Sequence, residues 1–137
     1  MPNLMQILII IAIGLHALAA MFWAGSSMNL ARSGGMGAEI LFPRQMMAAL
    51  VATLTGGYLW SALHTGGFGP YEMVLAFGVL CAFVAAGIQG AVVGGSIRKL
   101  KAGGDEAGLR KRVAGAYRAS GGLLALCLVA MVVARFV

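Results

Sequence analysis

The stretch from Leu4 to Ser26 reads LMQILIIIAIGLHALAAMFWAGS, and only Gln6 and His16 break its apolar run before Trp23. A helix needs about 20 such residues to cross the hydrocarbon core of a bilayer, so this stretch alone is long enough to span one. A secretory signal peptide starts with basic residues and has a shorter apolar core. Met1 to Gln6 holds no Lys or Arg, so Ala17 to Ala20 is read as part of a retained helix rather than as a cleavage region.

Working outward, three more stretches of the same kind follow. The second begins at Met46 after Phe42-Pro43-Arg44-Gln45, where proline suits a helix start, and runs to His64. Next comes Glu72 to Gly95, opened by Gly69-Pro70 and carrying one strongly polar residue, Gln89. The fourth is strongly apolar from Gly121 to Ala134 and is extended back to Val113, taking Tyr117 and Arg118 into its first turns. The expectation is an all-α fold: a single transmembrane domain, an integral membrane four-helix bundle of antiparallel up-down-up-down topology, with spans at 4–26, 46–64, 72–95 and 113–134. Composition agrees, since 137 residues that are 61% apolar and 10% charged, with a mean hydropathy of +0.92, present more apolar surface than a soluble fold of this size can hide.

Charge placement sets an expected orientation, because short basic loops are retained in the cytoplasm. Arg32 and Arg44 lie between the first two spans, and Arg98, Lys99, Lys101, Arg110, Lys111, Arg112 and Arg118 lie between or beside the last two. Of the ten basic residues only Arg135 falls on the other side. The chain is therefore expected in the cell inner (plasma) membrane as a multi-pass protein, with both termini and the His64–Tyr71 loop outside the cytoplasm. The net charge of +6 is concentrated in one juxtamembrane loop without interleaved aromatics, which suits anionic lipid head groups and not nucleic acid.

Several chemistries have no residues to carry them. There is no glycine-rich phosphate loop and no Cys or His pair at zinc spacing. Glu39 and Glu72 lie at span ends, which leaves no intramembrane carboxylate to relay protons or bind cations. Cys81 and Cys127 fall inside spans and read as small packed residues. Gly78, Ala82, Ala86, Gly90 and Gly94 recur every four residues along the third span, and small residues let helix backbones approach closely in lipid. This stripe is expected to face other helices of the bundle, the alternatives being a dimer seam or room for a flat cofactor. Gln89 is level with Trp23 to Ser26, so a bond to Ser26 or to a backbone group there is expected.

His16 sits near the middle of the first span, where an ionisable side chain is expensive and marks a functional site by default. Ala12, Ala20 and Trp23 share its helix face, so the ring could approach another helix or a planar ligand. Two readings stand at this point: a neutral imidazole bonded to a carbonyl or hydroxyl across the bundle, or a ligand to a metal or cofactor.

The run Gly14-Leu15-His16-Ala17-Leu18-Ala19-Ala20-Met21-Phe22-Trp23-Ala24-Gly25 resembles the first-helix signature of the copper-resistance protein D-like membrane family, a histidine followed seven residues later by Trp and then by a small residue and Gly. Thr55-Gly56-Gly57-Tyr58-Leu59-Trp60 resembles that family's next helix, and Met131-Val132-Val133-Ala134-Arg135-Phe136 its last-helix ending. The four-helix protoporphyrinogen oxidase of the haem pathway shares much of the first-helix pattern. The resemblance implies haem or copper handling and carries over to His16 only; Trp23, on the same helix face, is named with His16 as a candidate cofactor-binding residue for haem b or copper.

Depth arithmetic separates the two histidines. The position on the antiparallel second span level with His16 is near Gly56 or Gly57, and His64 lies roughly 10 Å nearer the outer face at about 1.5 Å per residue. Two axial imidazole nitrogens on one iron are only about 4 Å apart, given the bond lengths of imidazole ligation. A haem gripped by His16 and His64 of one chain is thus disfavoured, while a five-coordinate haem on His16, or a second ligand from another chain, fits. His64 lies at the outer boundary near the depth of Met1, Met5, Met73 and Met131, and thioether and imidazole ligands suit copper(I). The plainer reading is that the nine methionines fill apolar space and that an interfacial histidine is solvated. Two functions follow: a small membrane protein handling haem or copper through His16, with His64 as a further metal candidate, or a non-catalytic helical subunit. In either case a homo-oligomer or a larger membrane complex is a possible assembly.

Overall fold

A computed structural model describes all residues, Met1–Val137. The chain forms four helices and no strand: Leu4–Arg32, Ala38–Leu63, Pro70–Lys101 and Glu106–Phe136, each long and apolar enough to cross a membrane. The connections Ser33–Gly37, His64–Gly69 and Ala102–Asp105 are short, which makes successive helices antiparallel neighbours in sequence. This is the all-α four-helix bundle expected of a multi-pass membrane protein. Only 28 of 137 residues are buried, and large side chains such as Ile10, Leu18, Phe83 and Val132 cover the outside. A surface of this kind is stable against lipid and not against water.

All four helices extend beyond the apolar runs, because composition counts only the part in the hydrocarbon and a helix stops where its backbone is stopped. The first is 29 residues long, roughly 43 Å at the helical rise against a core of about 30 Å. It is started by Asn3, whose side chain accepts from the Gln6 N–H while the Gln6 side chain accepts from the Asn3 N–H. The second helix starts at Ala38, so the expectation that Pro43 opens it is corrected: Pro43 lies inside. Its missing N–H forfeits one bond near the helix start. Burial of Ala38 against Leu30, Val113 and Tyr117, and the ion pair between Glu39 and Arg110, hold the extra turn in place. Pro70 and Glu72, which accepts from the Gly69 N–H at 2.9 Å, start the third helix. That helix runs through Arg98 and Lys99 to Lys101, with a π turn at Gln89–Val93. The fourth begins at Glu106, seven residues before Val113; Lys111, Arg112 and Arg118 face outward while Val113, Ala114, Ala116 and Tyr117 are buried.

The first helix packs on the second and the fourth, and the fourth on the third; the second and third meet chiefly at the basic end of the bundle. The larger buried side chains lie in two clusters. One, at the basic end, joins Leu30, Val93, Ile97, Val113 and Tyr117, and the other, nearer the middle, joins Trp23, Ala24, Ala49, Ala85 and Leu124. Toward the end that carries the termini, the buried residues are small: Ala12, Ala19, Ala52, Gly78, Cys81, Cys127 and Ala130. There the helices approach backbone to backbone, as at Gly78, where an added Cβ would lie 3.2 Å from the Ala130 Cβ and 3.3 Å from the Cys127 carbonyl.

The expected third-helix stripe is corrected in part. Gly78 is buried, but Gly90 is exposed, and the buried line is Gly78, Cys81, Ala85, Gln89, Val93 and Ile97. The buried line itself repeats every four residues from Cys81 to Ile97, through the π turn at Gln89–Val93, and the expected stripe from Ala82 to Gly94 lies one residue, about 100°, further round the helix.

The loop at the basic end is held by geometry that only glycine satisfies. Gly35 has φ +81, and a Cβ there would lie 2.9 Å from Val113 Cγ1 and 3.2 Å from the Arg110 carbonyl. Arg110 Nη1 donates to the Gly35 carbonyl at 2.9 Å, so this turn clamps the first, second and fourth helices together. Gly35→Ala is expected to cost on the order of 2 kcal/mol, read as a lowered thermal midpoint in detergent; Gly34→Ala, whose Cβ meets nothing within 4 Å, should cost less.

Candidate functional site

His16 lies on the face of the first helix that meets the second. Its Nδ1 is 2.9 Å from the Ala52 carbonyl and 3.2 Å from Thr55 Oγ1. A carbonyl only accepts, so Nδ1 carries the proton and donates to it. Thr55 Oγ1 sends its own hydrogen to the Val51 carbonyl at 2.6 Å, which leaves it a second acceptor for the same N–H. The ring lies against Gly56, whose added Cβ would come within 3.0 Å of His16 Cε1. This is the level on the second helix that depth arithmetic gives. With Nδ1 donating to the carbonyl, Nε2 is the ring nitrogen left to accept or to ligate. Nε2 makes no hydrogen bond to the protein, and the one buried side-chain N or O without a partner is Arg110 Nε, so Nε2 lies at the accessible surface of the half-buried histidine. The sequence pairs Ala12 and Ala20 with His16; the structure adds Thr55 and Gly56, the two residues of the Thr-Gly stretch that receive the ring.

Trp23 serves a different purpose. It is 4% exposed, and its indole N–H donates to Gln89 Oε1 at 2.8 Å. Gln89 Nε2 donates to Ser27 Oγ at 2.8 Å and to Ser120 Oγ at 2.9 Å. The expected bond to Ser26 is corrected: the depth is right, but Ser27, one residue or about 100° further round the helix, faces Gln89. Ser26 Oγ instead accepts from Gln45 Nε2 at 2.8 Å, and Gln45 Oε1 accepts from Tyr117 at 2.6 Å. Gln45, Gln89, Tyr117, Ser27 and Ser120 are all fully buried. This double network joins all four helices and satisfies each amide with groups from other helices, as a low-dielectric interior requires. Gln45 and Tyr117 were missed as core residues because their polarity and position at span edges read as loop and first turn. The signal was present: Ala38, Gln45, Ala49 and Ala52 follow one another at helical spacing on a single face.

His64 stacks on Tyr71 with ring centroids 5.0 Å apart at 22°, and its Nδ1 is 3.3 Å from the Trp60 carbonyl. The Trp60 ring lies 5.2 Å from it, tilted by 35°. His64 therefore closes an aromatic stack where the chain turns from the second helix to the third. No three His, Cys, Asp or Glu side chains converge into a set that could hold a metal ion. Cys81 and Cys127 are buried and free. The structure thus separates the expected site residues: His16 in the seam of the first two helices, Trp23 in the polar core, and His64 in the terminal-end turn. No model of a known protein family, no curated protein and no solved structure matches the chain.

Proposed function

We propose that this chain is a haem-carrying protein of the plasma membrane, in which His16 would hold the haem iron through Nε2. One observation carries the reading: an imidazole at mid-membrane depth has its Nδ1–H held by the Ala52 carbonyl while Nε2 has no partner. Metal-bound histidines have this form, with the second ring nitrogen donating to a carbonyl that fixes tautomer and orientation. An unpartnered acceptor in hydrocarbon is costly, so some group meets Nε2. Haem suits it better than a bare copper ion, because a porphyrin brings four of the iron's ligands and asks one of the protein. A copper ion needs a set of side chains, and no three His, Cys, Asp or Glu side chains converge around His16. Haem held in this way would supply one-electron chemistry; the chain's own part is to present Nε2 at a fixed orientation. The resemblance of Gly14 to Gly25 to the copper-resistance D-like first helix supports the same residue. The test is a visible spectrum of the protein purified in detergent: a Soret band is expected, and a colourless protein that takes up no added haem would sink the reading.

The second reading, a non-catalytic subunit of a larger membrane complex, is favoured by the closed polar core, which leaves nothing inside the bundle to react. In that case a donor from a neighbouring helix meets Nε2.

The orientation proposed is that the basic end faces the cytoplasm, against anionic head groups, with both termini outside. Single cysteines report it, and the positions follow from local geometry. Gly103 has φ +83 and would strain under substitution, whereas Ala102 is exposed with φ −85 and Gly67 is exposed with open space around it. Ala102→Cys is expected to react with an impermeant maleimide only in inverted vesicles and Gly67→Cys only in intact cells. Labelling of both from one side would contradict the topology, since one span separates them.

A further inference from the structure

Where the second and third helices come together at the basic end they leave a cleft of about 350 Å³. Its walls are Phe42 and Pro43 on the second helix and Gly90 and Gly94 on the third. At its mouth stand Arg98 and Lys101, both exposed and neither in an ion pair. Glu39 also borders it, but its carboxylate is engaged by Arg110, so the mouth is cationic. Along the helix, Gly90 lies roughly 12 Å below Arg98, so the cleft runs from the charged surface into the apolar layer. Gly90 contributes no side chain and has nothing within 4 Å of its Cβ position, and the turn that buries Gln89 turns Gly90 outward into this slot.

We infer that this cleft binds one anionic glycerophospholipid, with its phosphate between Arg98 and Lys101 and the start of an acyl chain along Phe42, Gly90 and Gly94. Two free cations above a narrow apolar slot complement a molecule that is anionic at one end and aliphatic at the other. A soluble phosphate would leave the slot empty. A second copy of this chain would bring its own basic end, which also carries unpaired cations, against this one. The site rests on placement of the chain in a bilayer and is independent of haem.

The test is native mass spectrometry of the detergent-purified chain titrated with phosphatidylglycerol or with phosphatidylcholine of the same chains. One phosphatidylglycerol per chain is expected to bind ahead of phosphatidylcholine. Arg98→Gln with Lys101→Gln should remove on the order of thirtyfold in that affinity, at about 1 kcal/mol per surface cation. Gly90→Leu should fill the slot and displace the lipid while leaving the thermal midpoint of the lipid-free protein unchanged, because the side chain enters open space. Phosphatidylglycerol binding that survives both variants would overturn the site and assign the lipid to the basic loop at large. Equal competition by glycerol phosphate would reduce it to a surface anion site. A dimer that Gly90→Leu abolishes would give the cleft to a second copy. Retention of the Soret band in both variants keeps the haem reading separate from this one.

Discussion

His16→Ala, purified in detergent, is expected to lose the Soret band entirely and to take up no added haem, while its far-ultraviolet circular dichroism stays that of a four-helix protein. The iron bond goes with Nε2. The structural loss is smaller, because the half-buried ring gives up one bonded N–H and its contact with Gly56, on the order of 1 kcal/mol. His64→Ala should keep the full band, since its ring is engaged with Tyr71 and Trp60 and lies beyond reach of the same iron. Thr55→Val is the graded control: the Ala52 carbonyl still holds Nδ1–H, so haem should be retained with a shifted redox midpoint, as changes at groups behind a metal-bound histidine produce. Equal pigment in His16→Ala and in the parent would rule out the ligand role, and His16 would then stand as a packing residue between the first two helices.

Gln89→Met should be the most destabilising single change in the polar core. Methionine nearly conserves the volume and adapts its shape, so the cost is polar and not a cavity. The Trp23 N–H loses its acceptor, an orphaned donor worth about 1 to 3 kcal/mol. The bonds to Ser27 and Ser120 each add about 0.6 kcal/mol, the average for such pairs inside membrane bundles. A total on the order of 3 kcal/mol follows, measured by unfolding in mixed micelles. Trp23→Phe in the same background discriminates the cause, because with no indole N–H to orphan, Gln89→Met should cost about 1 to 3 kcal/mol less than in the parent. Strict additivity of the two changes would show that the Trp23–Gln89 bond carries no stability.

The sequence by itself determined that there are four helices, that they cross a membrane, and roughly where. Those features depend on solvent, and a long apolar run has one arrangement compatible with both water and lipid. It also determined the level at which each polar residue sits, because helical rise is fixed: His16 is level with Gly56, and Gln89 is level with the Trp23 region, as found. Helix ends and rotations were decided only by the tertiary structure. The second helix begins before Pro43 because Ala38 and Glu39 gain partners from the fourth helix. Gln89 meets Ser27 and not Ser26, and Gly90 leaves the seam that Gly78 occupies. In lipid every face of these helices is apolar, so no contrast between apolar and polar faces tells which way a helix is turned. That choice passes to close contacts between small residues and to a few buried amides, whose partners lie far away in the chain and become neighbours only when the helices pack.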